Sequence, residues 1–303
     1  MVSEPRSNPL QIFDRARIYR ARARSAAGFK VFDFLHVRAM DDIIDRLAAV
    51  TRTFDRALAY GASGLAAALM ERCKVGAVVL ADLAEGRIGA GPPAAAADAA
   101  LSICEPRVVF DEERSPLAPE SFDLIVSALT LHAANDVVGA LAQWRATLKP
   151  DGLFLAALFG EGTLKELRQA FYVAETQLSG GVSPRIAPFA GVRDLGNALQ
   201  RAGFALPVAD VDSVAVRYAD PMKLLRDLRG MGEAGALAAR GPPLTRRLLA
   251  MALENFADLG GVATFDIVYL TGWAPHPAQP KPLKPGSAAA SLAAAVKSAL
   301  SDQ

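Results

Sequence analysis

The chain predicts an α/β fold built on a doubly wound, mostly parallel sheet. Residues 121–168 read as strand, helix, strand and then a second helix. Strand-like and helix-like stretches alternate from residue 54 to residue 159, the pattern of right-handed crossover units. Glycine or aspartate follows several of the strand-like stretches, at the sheet edge where ligands bind in such folds.

The elements follow in order. Residues 11–52 read as two helices, and the second, near 34–50, carries Leu35, Ile43, Ile44 and Leu47 at helical spacing. A strand is expected at 54–60, a helix at 64–73, and a strand at 75–81 that ends on Asp82. Residues 86–100 are rich in Ala, Gly and Pro and read as a weak helix or loop. A short strand at 107–110 runs into Asp111. Residues 122–127 form an apolar run with β-branched members, which suits a strand buried on both faces. Asn135 is the expected N-cap of the next helix, and Leu148-Lys149-Pro150-Asp151-Gly152 closes it before a strand at 153–159. Beyond that point helices are expected at 164–178, 192–202, 221–231 and 244–259, with strands at 208–218 and 264–273. The expected division is a helical extension at 1–52, a main domain at 53–274 with helical insertions at 162–203 and 220–260, and a tail at 275–303. Pro at 275, 277, 280, 282 and 285 makes the start of that tail extended and mobile.

Composition narrows the function classes. Of 303 residues 52% are hydrophobic, enough for a sizeable core. A net charge of +1 gives no pull toward nucleic acid or an anionic membrane. Cys73 and Cys104 show no metal spacing and read as free thiols in a reducing interior. No apolar run approaches the roughly twenty residues of a membrane span. The Arg-rich stretch at 15–24 resembles a transit peptide, but Glu4 and Asp14 oppose that, and Ile12, Phe13, Ile18 and Tyr19 fit one side of a structural helix.

Three places lie where a nucleotide-type ligand would sit. The first is the turn Tyr60-Gly61-Ala62-Ser63-Gly64, where glycine permits close approach. The second is Asp82, about twenty residues further on, whose ionised carboxylate can accept both hydroxyls of a ribose. The third is Asp111, and Ser127 at the end of the fourth strand borders the same edge. The bland reading of both aspartates is that they cap the next segment.

The wording Phe122-Asp123-Leu124-Ile125 followed by Leu148-Lys149-Pro150-Asp151-Gly152 resembles the class I S-adenosylmethionine-dependent methyltransferases. The resemblance implies a Rossmann-like, seven-stranded sheet, completed by the two late strands as an antiparallel pair. It also implies S-adenosyl-L-methionine as cofactor, with Asp111 near the adenine. Phe13-Asp14-Arg15, Gly180-Gly181-Val182-Ser183-Pro184-Arg185-Ile186-Ala187-Pro188-Phe189, Asp227-Leu228-Arg229-Gly230-Met231-Gly232 and Tyr269-Leu270-Thr271-Gly272-Trp273 look like one subgroup of that family. It holds bacterial counterparts of the arginine hydroxylase that assembles mitochondrial complex I, and its cousin is the malonyl-carrier-protein O-methyltransferase of biotin synthesis. The resemblance therefore implies a protein or carrier-protein partner, with a complex I subunit as the candidate, and a cytoplasmic protein that meets the inner membrane during assembly.

The chain departs from the family's first motif. Ala59 stands at the usual acidic position and Ser63 at the middle glycine. Losing a charge-assisted partner costs about 1.5–3 kcal/mol, so a non-catalytic assembly factor with a degenerate site is one alternative to a methyltransferase that acts on a protein side chain, and the malonyl-carrier-protein O-methyltransferase of biotin synthesis is another. The subgroup's Trp after the strand-four His is also missing, where this chain has Leu131-His132-Ala133-Ala134.

Among working residues, His132 could orient substrate or shuttle a proton, or simply be a hydrogen-bonded histidine at a helix entry. Ser183 and Arg185 sit in the Gly-Gly-Val-Ser-Pro-Arg loop, where the guanidinium could clamp an acidic group or pair within its own protein. Ser127, Asp123 and His132 lack a nucleophile elbow and do not read as a hydrolytic triad. His36, His132 and His276 are too scattered for a metal site by spacing, so no metal is expected. Methyl transfer asks mainly for alignment and exclusion of water, so an obvious catalytic base is not required.

Overall fold

The computed structural model describes residues 11–88, 107–239 and 241–280. Its strands are β1 (Phe54–Tyr60), β2 (Val75–Asp82), β3 (Arg107–Val109), β4 (Phe122–Ala128), β5 (Leu148–Phe159), β6 (Ala205–Arg217) and β7 (Val262–Trp273). They form one seven-stranded sheet in the order β3-β2-β1-β4-β5-β7-β6. The first five pair in parallel, and β7 lies antiparallel between β5 and β6. Strand order reverses between β1 and β4, which puts the topological switch point above their carboxyl ends. This is the doubly wound, mostly parallel sheet that the sequence predicts.

The helices are α1 (Arg15–Ser25), α2 (Phe34–Ala48), α3 (Ala66–Cys73), α4 (Glu85–Ile88), α5 (Val137–Thr147), α6 (Lys165–Ser179), α7 (Val192–Arg201), α8 (Pro221–Met231) and α9 (Arg246–Asp258). The two-residue period of β1 sends Ala57 and Ala59 to one face and Leu58 and Tyr60 to the other. The first face packs Leu35, Ile43, Ile44 and Leu47 of α2, with α3, α6 and α9. The second packs Leu141 and Trp144 of α5 and Leu195 and Leu199 of α7. Each large apolar side chain so buried contributes about 1.5–3 kcal/mol relative to exposure.

Several details differ from the sequence reading. Asp136, not Asn135, caps α5, accepting from the Gly139 amide at 2.7 Å. Asn135 instead accepts from the Phe13 amide and donates to its carbonyl, tying the start of the described chain to the exit of β4. Pro150 and Gly152 do not precede the fifth strand but lie inside it. β5 begins at Leu148, and its register against β4 shifts between Phe122 and Leu124. Asp151, at φ +61°, absorbs the irregularity. The start of the tail is a turn, not a free segment: Gln279 Nε2 donates to Asp151 Oδ1 at 2.8 Å and to the Ala274 carbonyl at 2.9 Å. Cys73 is a buried free thiol. Cys104, most of the weak helix expected at 86–100, and the tail beyond residue 280 lie outside the described residues.

Candidate active site

Gly61 opens the turn after β1 at φ +66°, and its amide donates to the Ala81 carbonyl at 2.8 Å. A Cβ there would stand 2.7 Å from the Ala128 carbonyl oxygen and 2.3 Å from Thr130 Cγ2. Glycine is required because the exit of β4 crosses this turn. Ser63 donates from Oγ to the Arg87 carbonyl at 3.0 Å, holding α4 against the same turn. Gly64 lies beside Met40. Ala59, at the position where the family places an acid, is fully buried in the α2 face of the core.

Asp82 ends β2 with 2% of its surface exposed. Its Oδ1 accepts from the Ala84 amide at 2.9 Å and lies 3.9 Å from Arg22 Nη1. Burial pushes the Asp82 carboxyl above the usual range, and Arg22 opposes that shift. Ser127 is fully buried and shares a 2.8 Å hydrogen bond with Thr130 Oγ1. Thus Gly61, Ser63, Gly64, Asp82 and Ser127 come together at the switch point.

The Tyr60 side chain turns away from this edge, and Asp111, which follows β3 as the sequence predicts, is already paired. The Tyr60 ring lies on the opposite face of the sheet, against Phe110 and Trp144. Its hydroxyl is 2.7 Å from both the Phe110 carbonyl and Glu112 Oε2, and burial holds its proton on. Strand alternation forces this placement, so only the Tyr60 backbone reaches the edge. Asp111 is engaged by Arg15, with Nη2 to Oδ1 at 2.8 Å and Nε to Oδ2 at 3.2 Å. Arg15 also reaches Glu112 at 2.6 Å and donates to the Ala133 carbonyl at 2.9 Å. Asp111 therefore anchors α1 across the sheet edge.

Residues with no sequence motif complete the site. Arg22 is 2% exposed; its Nη2 donates to the Leu129 carbonyl at 3.0 Å and lies 3.8 Å from Glu233 Oε1. Glu233 Oε2 meets His132 Nε2 at 2.9 Å, and Oε1 has no hydrogen-bond partner. The imidazole packs against Phe159 and Phe189, with ring centroids 4.7 and 5.5 Å away. Burial alone would raise the Glu233 carboxyl, but His132 and Arg22 outweigh it and bring it down to about 2. Nearby, Arg87 lies over the Phe29 ring at 3.1 Å and reaches His36 Nε2 at 3.4 Å. Burial and Arg87 keep His36 well below its ordinary value. The one sequence signal was spacing: Arg15, Ile18 and Arg22 fall at i, i+3 and i+7, on one face of α1.

Beside this cluster lies a cavity of about 680 Å³, walled by Phe159, Leu167, Phe171, Phe189 and Leu228 and reached by Glu233. A second, of about 470 Å³, shares Pro184, Arg185 and Ile186 with it and extends past Tyr172 and Val182. The loop between them is fixed by its own protein. Arg185 Nε donates to Glu175 Oε1 at 2.7 Å and Nη1 to the Pro242 carbonyl at 2.7 Å, while the Ser183 amide donates to Glu175 Oε2 at 2.6 Å. Arg185 is thus a wall of the cavities, with its guanidinium already matched, and not an open clamp for an acidic group. Replacing the buried Glu175 by Gln removes that charge match and is expected to cost about 1.5–3 kcal/mol in urea unfolding, with faster proteolysis within 180–189. An unchanged midpoint would show that the loop is held by other contacts.

Comparison with known proteins places this geometry. Residues 56–156 match the methyltransferase domain model. The chain is 35% identical to the mitochondrial arginine-hydroxylase NDUFAF5 of Danio rerio over 298 residues, covering 94% of this chain and 89% of that protein. The chain belongs to the class I S-adenosylmethionine-dependent methyltransferase family. Another member, the malonyl-[acyl-carrier protein] O-methyltransferase of a Methylovorus species, is 30% identical over 274 residues, covering 88% of this chain and 90% of that one. The solved structure of the YcgJ protein of Bacillus subtilis superposes with a TM-score of 0.54 at 15% identity, covering 80% of this chain and all of that one, a likeness of fold. Gly61 after β1, Asp82 at the end of β2 and Ala59 in β1 stand where the sequence reading expects them. A carboxylate at the end of β2 is the residue type that accepts ribose hydroxyls, but Asp82 is buried, and neither cavity described above is lined by Gly61, Asp82 or Ser127. Among the described residues no helix is long and apolar enough to cross a membrane.

Proposed function

We propose that the chain is an S-adenosylmethionine-dependent enzyme that acts on an arginine side chain of a protein substrate. Glu233 carries this reading. Glu233 is the one acid among the residues that line the larger cavity, most of them apolar, beside Arg17, Arg185 and Arg229, and an ionised carboxylate there offers a partner to a long side chain with a cationic tip. Asp82 would accept the ribose hydroxyls, Gly61 would let the ligand lie close to the β1 turn, and His132 would hold Glu233 in place. When bound, S-adenosylmethionine supplies an activated sulfonium. The chain's part is to align the acceptor and exclude water. The subgroup resemblance and the arginine-hydroxylase relative support a protein substrate, which the chain would meet in the assembly of the respiratory NADH dehydrogenase.

The test uses the whole protein with S-adenosylmethionine and a basic peptide. An arginine peptide should bind about ten- to a hundredfold tighter than the same peptide with citrulline, which keeps the shape and loses the charge. Mass spectrometry should find the added group on that arginine. Equal binding of both peptides, or methyl-ester formation on a malonyl thioester, overturns the reading. A second reading, a non-catalytic assembly factor, is favoured by Ala59 and by the coverage of Asp82. It requires that neither S-adenosylmethionine nor S-adenosylhomocysteine bind at millimolar concentration.

A further inference from the structure

The inner face of α2 packs on the sheet, and its outer face is not an ordinary solvated one. Phe34, Val37, Arg38, Asp41, Asp42 and Asp45 follow one another at helical spacing and, with Asp212 of β6, line a groove of about 410 Å³. The groove is divided along its length. At one end Phe34 is 39% and Val37 is 42% exposed. The rest is acidic, with four carboxylates in its lining against the one guanidinium of Arg38.

The chain does not cancel this charge firmly. Arg38 pairs with Asp212 at 2.7 Å, Arg46 with Asp42 at 3.3 Å and Arg72 with Asp45 at 3.0 Å. These pairs stand in solvent, where such contacts hold weakly. Among the described residues the Asp41 carboxylate has no ion pair or hydrogen bond. Beside Asp42 lies Tyr269, 1% exposed, whose hydroxyl also has no hydrogen-bond partner. Burial, and then the charges of Asp42 and Asp212, hold its proton on. Among the described residues no group of acids could hold a metal ion, so the charge here asks for an organic cation.

The groove is also placed to serve the larger cavity. The Phe34 ring meets Phe265 edge to face at 6.5 Å between centroids, and Phe265 walls that cavity. The apolar end of the groove thus starts one aromatic layer from the proposed acceptor site. From Phe34 to Asp45 the helix rises about 16 Å, the reach of about five residues of extended chain.

We propose that the outer face of α2 is a docking groove for a basic segment of the protein substrate, with an apolar side chain on Phe34 and Val37 and lysines or arginines laid along Asp41, Asp42 and Asp45. That the partner is the substrate rests on the proposed function, and the test reads the groove without it. Opposite charge brings the segment in and the apolar contact sets its register. Once it is held there, entry of a neighbouring side chain into the cavity becomes an intramolecular step.

The probe is a labelled peptide, Leu-Gly-Lys-Lys-Lys with capped ends, which contains no arginine. Its binding is read by fluorescence anisotropy at low ionic strength with the whole protein and no cofactor. Asp41→Asn should weaken binding about threefold, and Asp41→Asn with Asp45→Asn about tenfold. Asp41→Asn breaks no ion pair, so its loss is not one of folding. Arg38→Gln removes the groove's own cation and should tighten binding about two- to threefold, a gain that a merely structural role would not give. Ser in place of the peptide's Leu should weaken binding about threefold in the wild type and leave Val37→Ser unaffected. Equal binding by the wild type and the double variant overturns the groove. So does an equal loss in Glu254→Gln with Asp258→Asn, two exposed acids of α9 outside the groove. A wild-type dimer in light scattering that the double variant turns into a monomer assigns the face to a second copy and overturns it as well. If the peptide binds as expected while no arginine peptide is modified, the groove stands and the arginine reading fails.

Discussion

Replacing Glu233 by Gln should lower stability by about 3–5 kcal/mol, because removing one member of a buried ion cluster strands the others. The stranded groups are the His132 imidazole, 2.9 Å away, and the Arg22 guanidinium. The pH dependence gives the same residue a second signature. The folded carboxyl is lowered from 4.5 to about 2. A depressed acid stabilises the fold above its unfolded value and loses that contribution as pH falls through its folded value. Stability worth about 3 kcal/mol should thus be full above pH 4.5 and vanish progressively toward pH 2 in the wild type. The Gln variant should lack this acid limb. Urea melts between pH 2 and 7 measure both. An acid limb of equal size in the two proteins would show that Glu233 is not the titrating group.

The second large effect lies in the core. Trp144→Ala should cost about 3–5 kcal/mol. Trp144 is 1% exposed, and its indole packs against Tyr60 at 5.3 Å and Phe154 at 5.7 Å between ring centroids. It is the largest side chain between α5 and the sheet on that face. Its Nε1 has no hydrogen-bond partner, so part of its packing gain is offset by a buried orphan donor. Trp144→Phe discards that donor with part of the volume and should cost under about 1.5 kcal/mol. Chemical denaturation of both variants separates the terms. A Phe variant as unstable as the Ala variant would mean that indole shape, rather than buried apolar bulk, holds α5 in place.

The regular elements were legible because their signals are local. A buried parallel strand needs a short apolar run, and 122–127 supplied one. Helix periodicity in 34–50 placed Leu35, Ile43, Ile44 and Leu47 on the face that packs on the sheet. Strand ends with glycine and aspartate put Gly61 and Asp82 at the switch point. Boundaries erred where a side chain chose a distant partner. Asn135 reads as a cap, but it is taken by Phe13, 122 positions earlier in the chain. Tyr60 is next to the glycine turn in sequence, yet alternation turns its ring to the far face, where it meets Glu112.

The chain alone thus determined the sheet, the helices and the edge at which a nucleotide-type ligand would lie, because periodicity and turn chemistry act over a few residues. It also carried the loss of the β1 acid, visible as Ala59. What covers that edge was decided only by the tertiary structure. Arg22 looks like one of several arginines on an ordinary helix, and Glu233 like a charged residue after a helix end. They acquire meaning when the fold brings His132 and Glu233 together across 101 positions and lays α1 over β2 and β4. Periodicity tells a residue which face it occupies. It cannot tell a buried charge which partner will share its desolvation, because that partner is chosen by topology.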